Sequence, residues 1–131
     1  MSEVTASDQL RRACKDCDML RMQQLLETGA DVDVRTSGGV TLLMEAAGAG
    51  RTDIMELLIS HSADVNATNK NGCSPLFYAA THYRGYALRV LLGAGASVAV
   101  RPHGLSLLEF AKVGGGLSHE VFEMLRKAGA T

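Results

Sequence analysis

Apolar residues recur at helical spacing in three stretches of the chain: Ile54, Leu57 and Leu58; Ala87, Val90 and Leu91; Val121, Met124 and Leu125. The i, i+3, i+4 interval puts each set on one face of an amphipathic helix. A shorter apolar segment precedes each of these helices and opens at a hydroxyl residue. In Ser74-Pro75, Ser74 can accept from the unpaired first-turn amides, and Pro75 at the first helical position loses nothing by lacking an N–H. Ser106-Leu107-Leu108-Glu109 has the Ser-x-x-Glu spacing of a capping box. The first helices end in paired alanines, Ala46-Ala47 and Ala79-Ala80, which let a neighbouring helix approach closely. Turns such as Asn69-Lys70-Asn71-Gly72 open the units, Asn and Gly supplying left-handed backbone values. Only one face of each helix is apolar, so each pair needs neighbouring pairs to cover it. Each buried Leu or Ile then contributes roughly 1.5–3 kcal/mol, almost all of it between units.

This pattern repeats every 33 residues. Shifted by one period, Gly39 lands on Gly72, Thr41 on Ser74, Leu43 on Leu76, Leu58 on Leu91, and Ala63-Asp64-Val65 on Ala96-Ser97-Val98. The frame runs back to Gly29-Ala30-Asp31-Val32-Asp33 and forward, loosely, to Gly104, Ser106, Leu108 and Ala111, closing at Ala128-Gly129-Ala130. Two helices per period of this length predict a stacked solenoid, an architecture that works by presenting a long surface.

These residues resemble ankyrin repeats. Gly39, Thr41, Leu43, Ala46, Ala47, Gly50, Ile54, Leu57, Leu58, Ala63, Asp64, Val65, Asn66 and Ala67 fit one copy of the family's unit. Gly72, Ser74, Pro75, Leu76, Ala79, Ala80, Leu91, Leu92, Gly95, Ala96 and Val98 fit a second. The resemblance implies an all-α ankyrin solenoid of helix-turn-helix units joined by β-hairpin-like fingers, forming a single domain over 1–131. It implies an amino-terminal capping repeat at 7–34, full repeats at 35–67 and 68–100, and a carboxy-terminal capping repeat at 101–131. Two departures stand out. Met44, Phe77 and Glu109 replace the family's motif histidine, and Val113-Gly114-Gly115-Gly116 lengthens the last inter-helix turn. The last unit is therefore expected to be the loosest, since Gly-rich inserts cost backbone entropy on ordering.

The apolar share of 47% suffices for a continuous core, while 14 glycines and the absence of Trp favour thin helices at close spacing. A formal charge of −1 gives no overall attraction to nucleic acid or to an acidic membrane. Residues Met1 to Asp8 lack the apolar stretch of a secretory signal, and the run Val90 to Val100 is too short to span a bilayer. The three cysteines make no secreted disulfide framework. The chain is expected to be soluble and intracellular, cytoplasmic or nuclear, and monomeric.

Chemistry finds little support. Cys14-Lys15-Asp16-Cys17 invites a redox or zinc reading, but it lacks a βαβ setting and two further ligands. Cys14 falls in register with Ala47 and Ala80, so the pair is expected to be buried, metal-free and slow to react. His61, His82, His103 and His119 show no ligand spacing, and the Gly-rich stretches lack the form of a phosphate loop. Arg11, Arg12 and Lys15 are too sparse for a nucleic-acid stripe. Asn66 is similar to an asparagine that an intracellular hydroxylase modifies in some ankyrin proteins, although a turn asparagine bonding its own backbone is the plainer reading. No enzyme activity, cofactor or metal is expected.

The resemblance implies partner contacts on the fingers and the exposed side of the first helices. Those positions are Arg35, Ser37, Gly38, Val40, Gly48 and Ala49, then Lys70, Asn71, Cys73, Thr81 and His82, then Arg101, His103 and Leu105. Tyr83, Arg84 and Tyr86 lie beside them in sequence and suit an anchoring hot spot. Arg35, Lys70 and Arg101 at finger positions predict a protein partner with an acidic segment. The expected function is a non-catalytic protein-binding module, an adaptor, scaffold or inhibitor. Its alternative is a targeting or regulatory ankyrin domain of a longer, enzymatic protein.

Overall fold

The computed structural model describes residues 5–112 and 118–130. Hydroxyl side chains start the first helix of every unit. Thr5 caps α1 (Ala6–Lys15), Thr41 caps α3 (Leu42–Ala49) and Ser74 caps α5 (Pro75–Thr81). Ser106 Oγ accepts from Glu109 N, 3.2 Å, at the start of α7 (Leu107–Lys112). The third residue of three of these helices returns the bond to the cap amide. Asp8 accepts from Thr5 N (3.2 Å), Met44 Sδ from Thr41 N (3.4 Å) and Glu109 Oε2 from Ser106 N (2.8 Å). Met44 and Glu109, which replace the family histidine, thus each hold a cap amide within their own unit, whereas Phe77 carries no polar atom to do so. Thr41, Ser74 and Ser106 are buried, so these caps also prevent unpaired polar groups inside the stack.

The second helices are α2 (Met19–Glu27), α4 (Thr52–Ser60), α6 (Gly85–Gly93) and α8 (His119–Lys127). Their buried positions differ from the i, i+3, i+4 expectation. Ile54, Met55 and Leu58 are buried in α4, and Ala87, Leu88 and Leu91 in α6, while Leu57 and Val90 are half-buried. Met55 and Leu88 are covered because α4 and α6 pack both on their own first helices and on each other. The buried arc therefore swings by one residue.

Among the described residues the helices form four pairs and stack in chain order, α3 packing most densely on α5, and α4 packing on both α3 and α6. Ala47, Ala79 and Ala80 have no accessible surface, and Ala46 has almost none. The last inter-helix turn, expected to be long at Val113–Gly116, lies outside the described residues.

Side chains couple successive units. Asp33 Oδ1 accepts from Asp64 N at 2.9 Å, and Asn66 Oδ1 accepts from Ser97 N at 2.7 Å. Asn66 therefore bonds the next unit, not its own backbone as expected; Asp64 supplies the local turn bond to Asn66 N instead. Ala99, next in this series at the same repeat position, has no side-chain acceptor. Replacing Leu58 by Ala is expected to destabilise the chain by ~2–5 kcal/mol. Asn66→Ala should cost ~0.5–1.5 kcal/mol. Asn66→Asp should cost less than Asn66→Ala, since Asp33 makes the same bond one unit earlier. Urea unfolding measures all three, and an unaltered midpoint for Asn66→Ala would leave the inter-unit bond without energetic weight.

Candidate partner-binding surface

Two hairpin-like fingers and one helical turn line one edge of the stack. In the first finger Arg35 bridges antiparallel to Thr41, and Thr36 N donates to Val40 O at 3.0 Å. In the second, Asn69 N donates to Cys73 O (3.0 Å), Asn69 Oδ1 accepts from Asn71 N and Cys73 N, and Asn69 Nδ2 reaches the Tyr78 hydroxyl at 2.9 Å. The third is a 3-10 turn, Pro102–Gly104. The backbone links neighbouring fingers directly, Lys70 N donating to Gly38 O (3.2 Å) and His103 N to Asn71 O (2.8 Å). This approach requires glycine at position 72, where φ is +77° and a Cβ would meet Arg101 O at 2.8 Å.

The finger arginines serve the fold. Arg35 Nη1 donates to Gly39 O (3.0 Å) and to Thr68 O in the next unit (2.9 Å), and Arg11 donates to Arg35 O. Arg101 Nη2 donates to Gly104 O at 3.0 Å and lies 3.6 Å from Glu109. Ser37, Lys70 and Asn71 are exposed, Val40 and Leu105 half-buried. Cys73, expected among the contacts, is only 4 % exposed. It points inward beneath His103, with Sγ 3.8 Å from Nε2, and burial pushes its thiol pKa up. His103 stands above an aromatic group, stacked on Phe110 at 6.1 Å, while Phe110 meets Phe77 edge-on at 4.9 Å.

Residues Thr81 to Tyr86 lie elsewhere. Thr81 ends α5 and the others follow it, so the seven residues of that helix separate them from the second finger by ~10 Å at 1.5 Å per residue. Thr81 Oγ1 donates back to Phe77 O at 3.0 Å. His82 stacks on Tyr78, and its Nδ1–H donates to Tyr78 O at 2.8 Å. Arg84 Nε reaches back to Gly48 O at 3.2 Å, and its side chain lies across Gly50, where a Cβ would meet Cδ at 2.8 Å. The residues expected as one site therefore occupy two opposite edges, joined by the exposed side of α3 and α5.

The expectation of burial holds for Cys14 and fails for Cys17. Cys14 is buried, and desolvation, reinforced by Glu45 and Cys17, pushes its thiol up to about 11. Cys17 is exposed because the chain turns outward there with φ of 56°, and Arg51 Nη1 donates to its Sγ at 2.7 Å. Both cysteines line a cavity of about 230 Å³ with Lys15, Glu45 and Arg51. Among the described residues no group of three or more His, Cys, Asp or Glu is arranged to hold a metal ion. None of the helices searched among them is long and apolar enough to cross a membrane. Tyr78, Arg51 and Leu20 were missed as surface features. The shared repeat position of Leu20 and Tyr86 was the available signal for the last.

Helix pairs stacked through finger loops define a repeat solenoid of the protein-interaction class. The chain belongs to the ankyrin repeat family, the model for "Ankyrin repeats (3 copies)" matching residues 10–102. Among curated proteins, the chain is 43% identical over 77 residues to the 2-5A-dependent ribonuclease of Mus musculus, covering 58% of this chain and 10% of that protein. It is 36% identical over 81 residues to M-phase phosphoprotein 8 of Homo sapiens, covering 60% of this chain and 9% of that protein. It is 40% identical over 68 residues to Ankyrin repeat domain-containing protein 63 of Mus musculus, covering 52% and 17% respectively. The matched segment thus spans about a tenth of the length of the first two relatives.

Thiol titration of the native chain should find Cys17 fast and Cys14 and Cys73 slow until unfolding; three equal rates would contradict this placement. Cys14 also makes stability depend on pH. The unfolded thiol ionises near 9.0 and the folded one near about 11, so unfolding releases a proton between those values and stability falls as pH rises through that window. Cys14→Ala, which installs the residue found at positions 47 and 80, should flatten that alkaline slope in urea unfolding.

Proposed function

We propose that this chain is a non-catalytic adaptor, scaffold or inhibitor that binds a protein partner along its fingers and the exposed side of α3 and α5. The observation that carries this reading is the main-chain coupling of the fingers, Lys70 N to Gly38 O and His103 N to Asn71 O. It holds an exposed row of Ser37, Lys70, Asn71 and His103 in place before any partner arrives. Little ordering entropy is then lost on association. Lys70, exposed and without a side-chain partner among the described residues, supplies the charge that suits an acidic partner segment. The setting proposed is intracellular and the chain monomeric.

A second reading, a targeting or regulatory domain of a longer protein, enzymatic or not, is favoured by the small share of each relative that the chain matches. A transcript whose reading frame continues past Thr131 would support it.

The test is capture of a partner by the native chain, its identification by mass spectrometry, and affinity measurement with Lys70→Glu and His82→Glu after their helical melts are matched. The double variant is expected to weaken binding by about tenfold or more. Equal affinity would move the contact away from this face.

A further inference from the structure

The three large apolar side chains that stand exposed among the described residues lie along one edge of the stack, Leu20 in the first unit and Tyr83 and Tyr86 in the third. Leu20 is 68 % exposed, Tyr83 59 % and Tyr86 78 %. Leu20 and Tyr86 hold the second position of α2 and α6, and Tyr83 sits in the turn that leads into α6. This is the turn edge, across the first helices from the fingers. Nothing in the packing requires a large residue at either tyrosine position. The repeat equivalent of Tyr83 is Gly50, and that of Tyr86 is Asp53.

Tyr83 is moreover held in the left-handed region, with φ of 57°, where Gly50 has φ of 71°. A bulky side chain there strains the backbone, and a ring 59 % exposed recovers little by burial. The two tyrosines, with Arg84 and Gly50, line a cavity of about 220 Å³. An adjoining cavity of about 280 Å³ is lined by Tyr86, Arg89 and Glu120.

The charge beside these rings is positive. Arg84 uses Nε on a main-chain carbonyl and forms no ion pair among the described residues, which leaves its outer nitrogens for an incoming group. Arg89 lies 5.7 Å from the Tyr86 ring centroid, and its carboxylate neighbour, Glu120, is 3.8 Å away in an exposed pair of little strength. Two guanidinium groups beside two exposed aromatic rings, one of them already faced by Arg89, match a carboxylate-bearing chain with an apolar residue between its charges.

We infer that the turn edge of the third unit is a second docking surface, and that its occupant is an acidic segment of a partner protein. An aliphatic side chain of that segment seats between Tyr83 and Tyr86, and its flanking carboxylates pair with Arg84 and Arg89. The inference rests on the reading of the chain as a protein-binding module, but not on the finger face.

The test is titration of the isotope-labelled full chain with a synthetic peptide, Gly-Ser-Glu-Glu-Leu-Glu-Glu-Ser-Gly, beside its Gln-for-Glu counterpart, followed by amide NMR. Saturable shifts centred on residues 83–89 and Gly50 are expected. The apparent Kd should rise about tenfold for the Gln peptide and for Arg84→Gln with Arg89→Gln. Tyr83→Gly should weaken binding while leaving Tm unchanged or raising it, since it relieves the left-handed strain. A Tyr83→Gly variant that melts lower would show instead that the ring serves the fold, and would overturn the inference. So would the absence of saturable shifts at 83–89, or equal shifts with both peptides. Shifts confined to residues 69–73 and 101–105 overturn it too, while leaving the proposed finger-face function intact.

Discussion

Close contact between the first helices of the two central units, α3 and α5, is the constraint on which the other features depend. Ala47, Ala79 and Ala80 are fully buried on two helices that pack closely on each other, and that spacing brings the fingers near enough to bond through their main chains. A longer side chain at the alanine positions would lift the finger of one unit off the next. The stack would lose its bridging bonds before it lost its helices. The energetics are those of nearest neighbours: each unit leaves an apolar face open, and only the adjacent unit closes it.

The polar couplings follow from that spacing and explain why basic residues on the fingers are poor guides to partner charge. Arg35 satisfies carbonyls of its own finger and of the next unit, and Arg101 closes its own turn. The carbonyls of Gly39, Thr68 and Gly104 receive these donors, and a guanidinium supplies several at fixed geometry. Their positive charge remains near the surface, but their donors are already engaged. Lys70 on one edge and Arg84 and Arg89 on the other carry charge that is less committed to the fold.

The repeat position at residues 17, 50 and 83 shows how one backbone requirement can serve different ends. All three residues have positive φ, because the chain must reverse sharply between the first and second helices. Glycine meets that requirement without strain at position 50 and gives Arg84 room to lie across it. Cys17 and Tyr83 meet it at a cost and project a thiol and a phenol outward from the same edge. The outward thiol is also why Cys17 parted from Cys14, its neighbour on the preceding turn.

The 33-residue period, the hydroxyl caps at Ser74 and Ser106, the paired alanines and the family were legible in the sequence, because these depend on intervals of a few residues and on local backbone preference. The burial of Met55, Leu88 and Cys73 was not legible, nor was the exposure of Cys17. The burials are decided by what packs over each side chain and the exposure of Cys17 by the outward turn of its backbone, and periodicity along one helix carries information about neither. The partner-site residues were named from register with the family, but the distribution of Lys70 and Tyr83 to opposite edges was set by the length and direction of α5. Sequence by itself determined which residues repeat and which helices form, since those follow from local chemistry. Only the stacked structure decided which arginines reach main-chain carbonyls of a neighbouring unit, because hydrogen bonds between units exist only once the units are brought together.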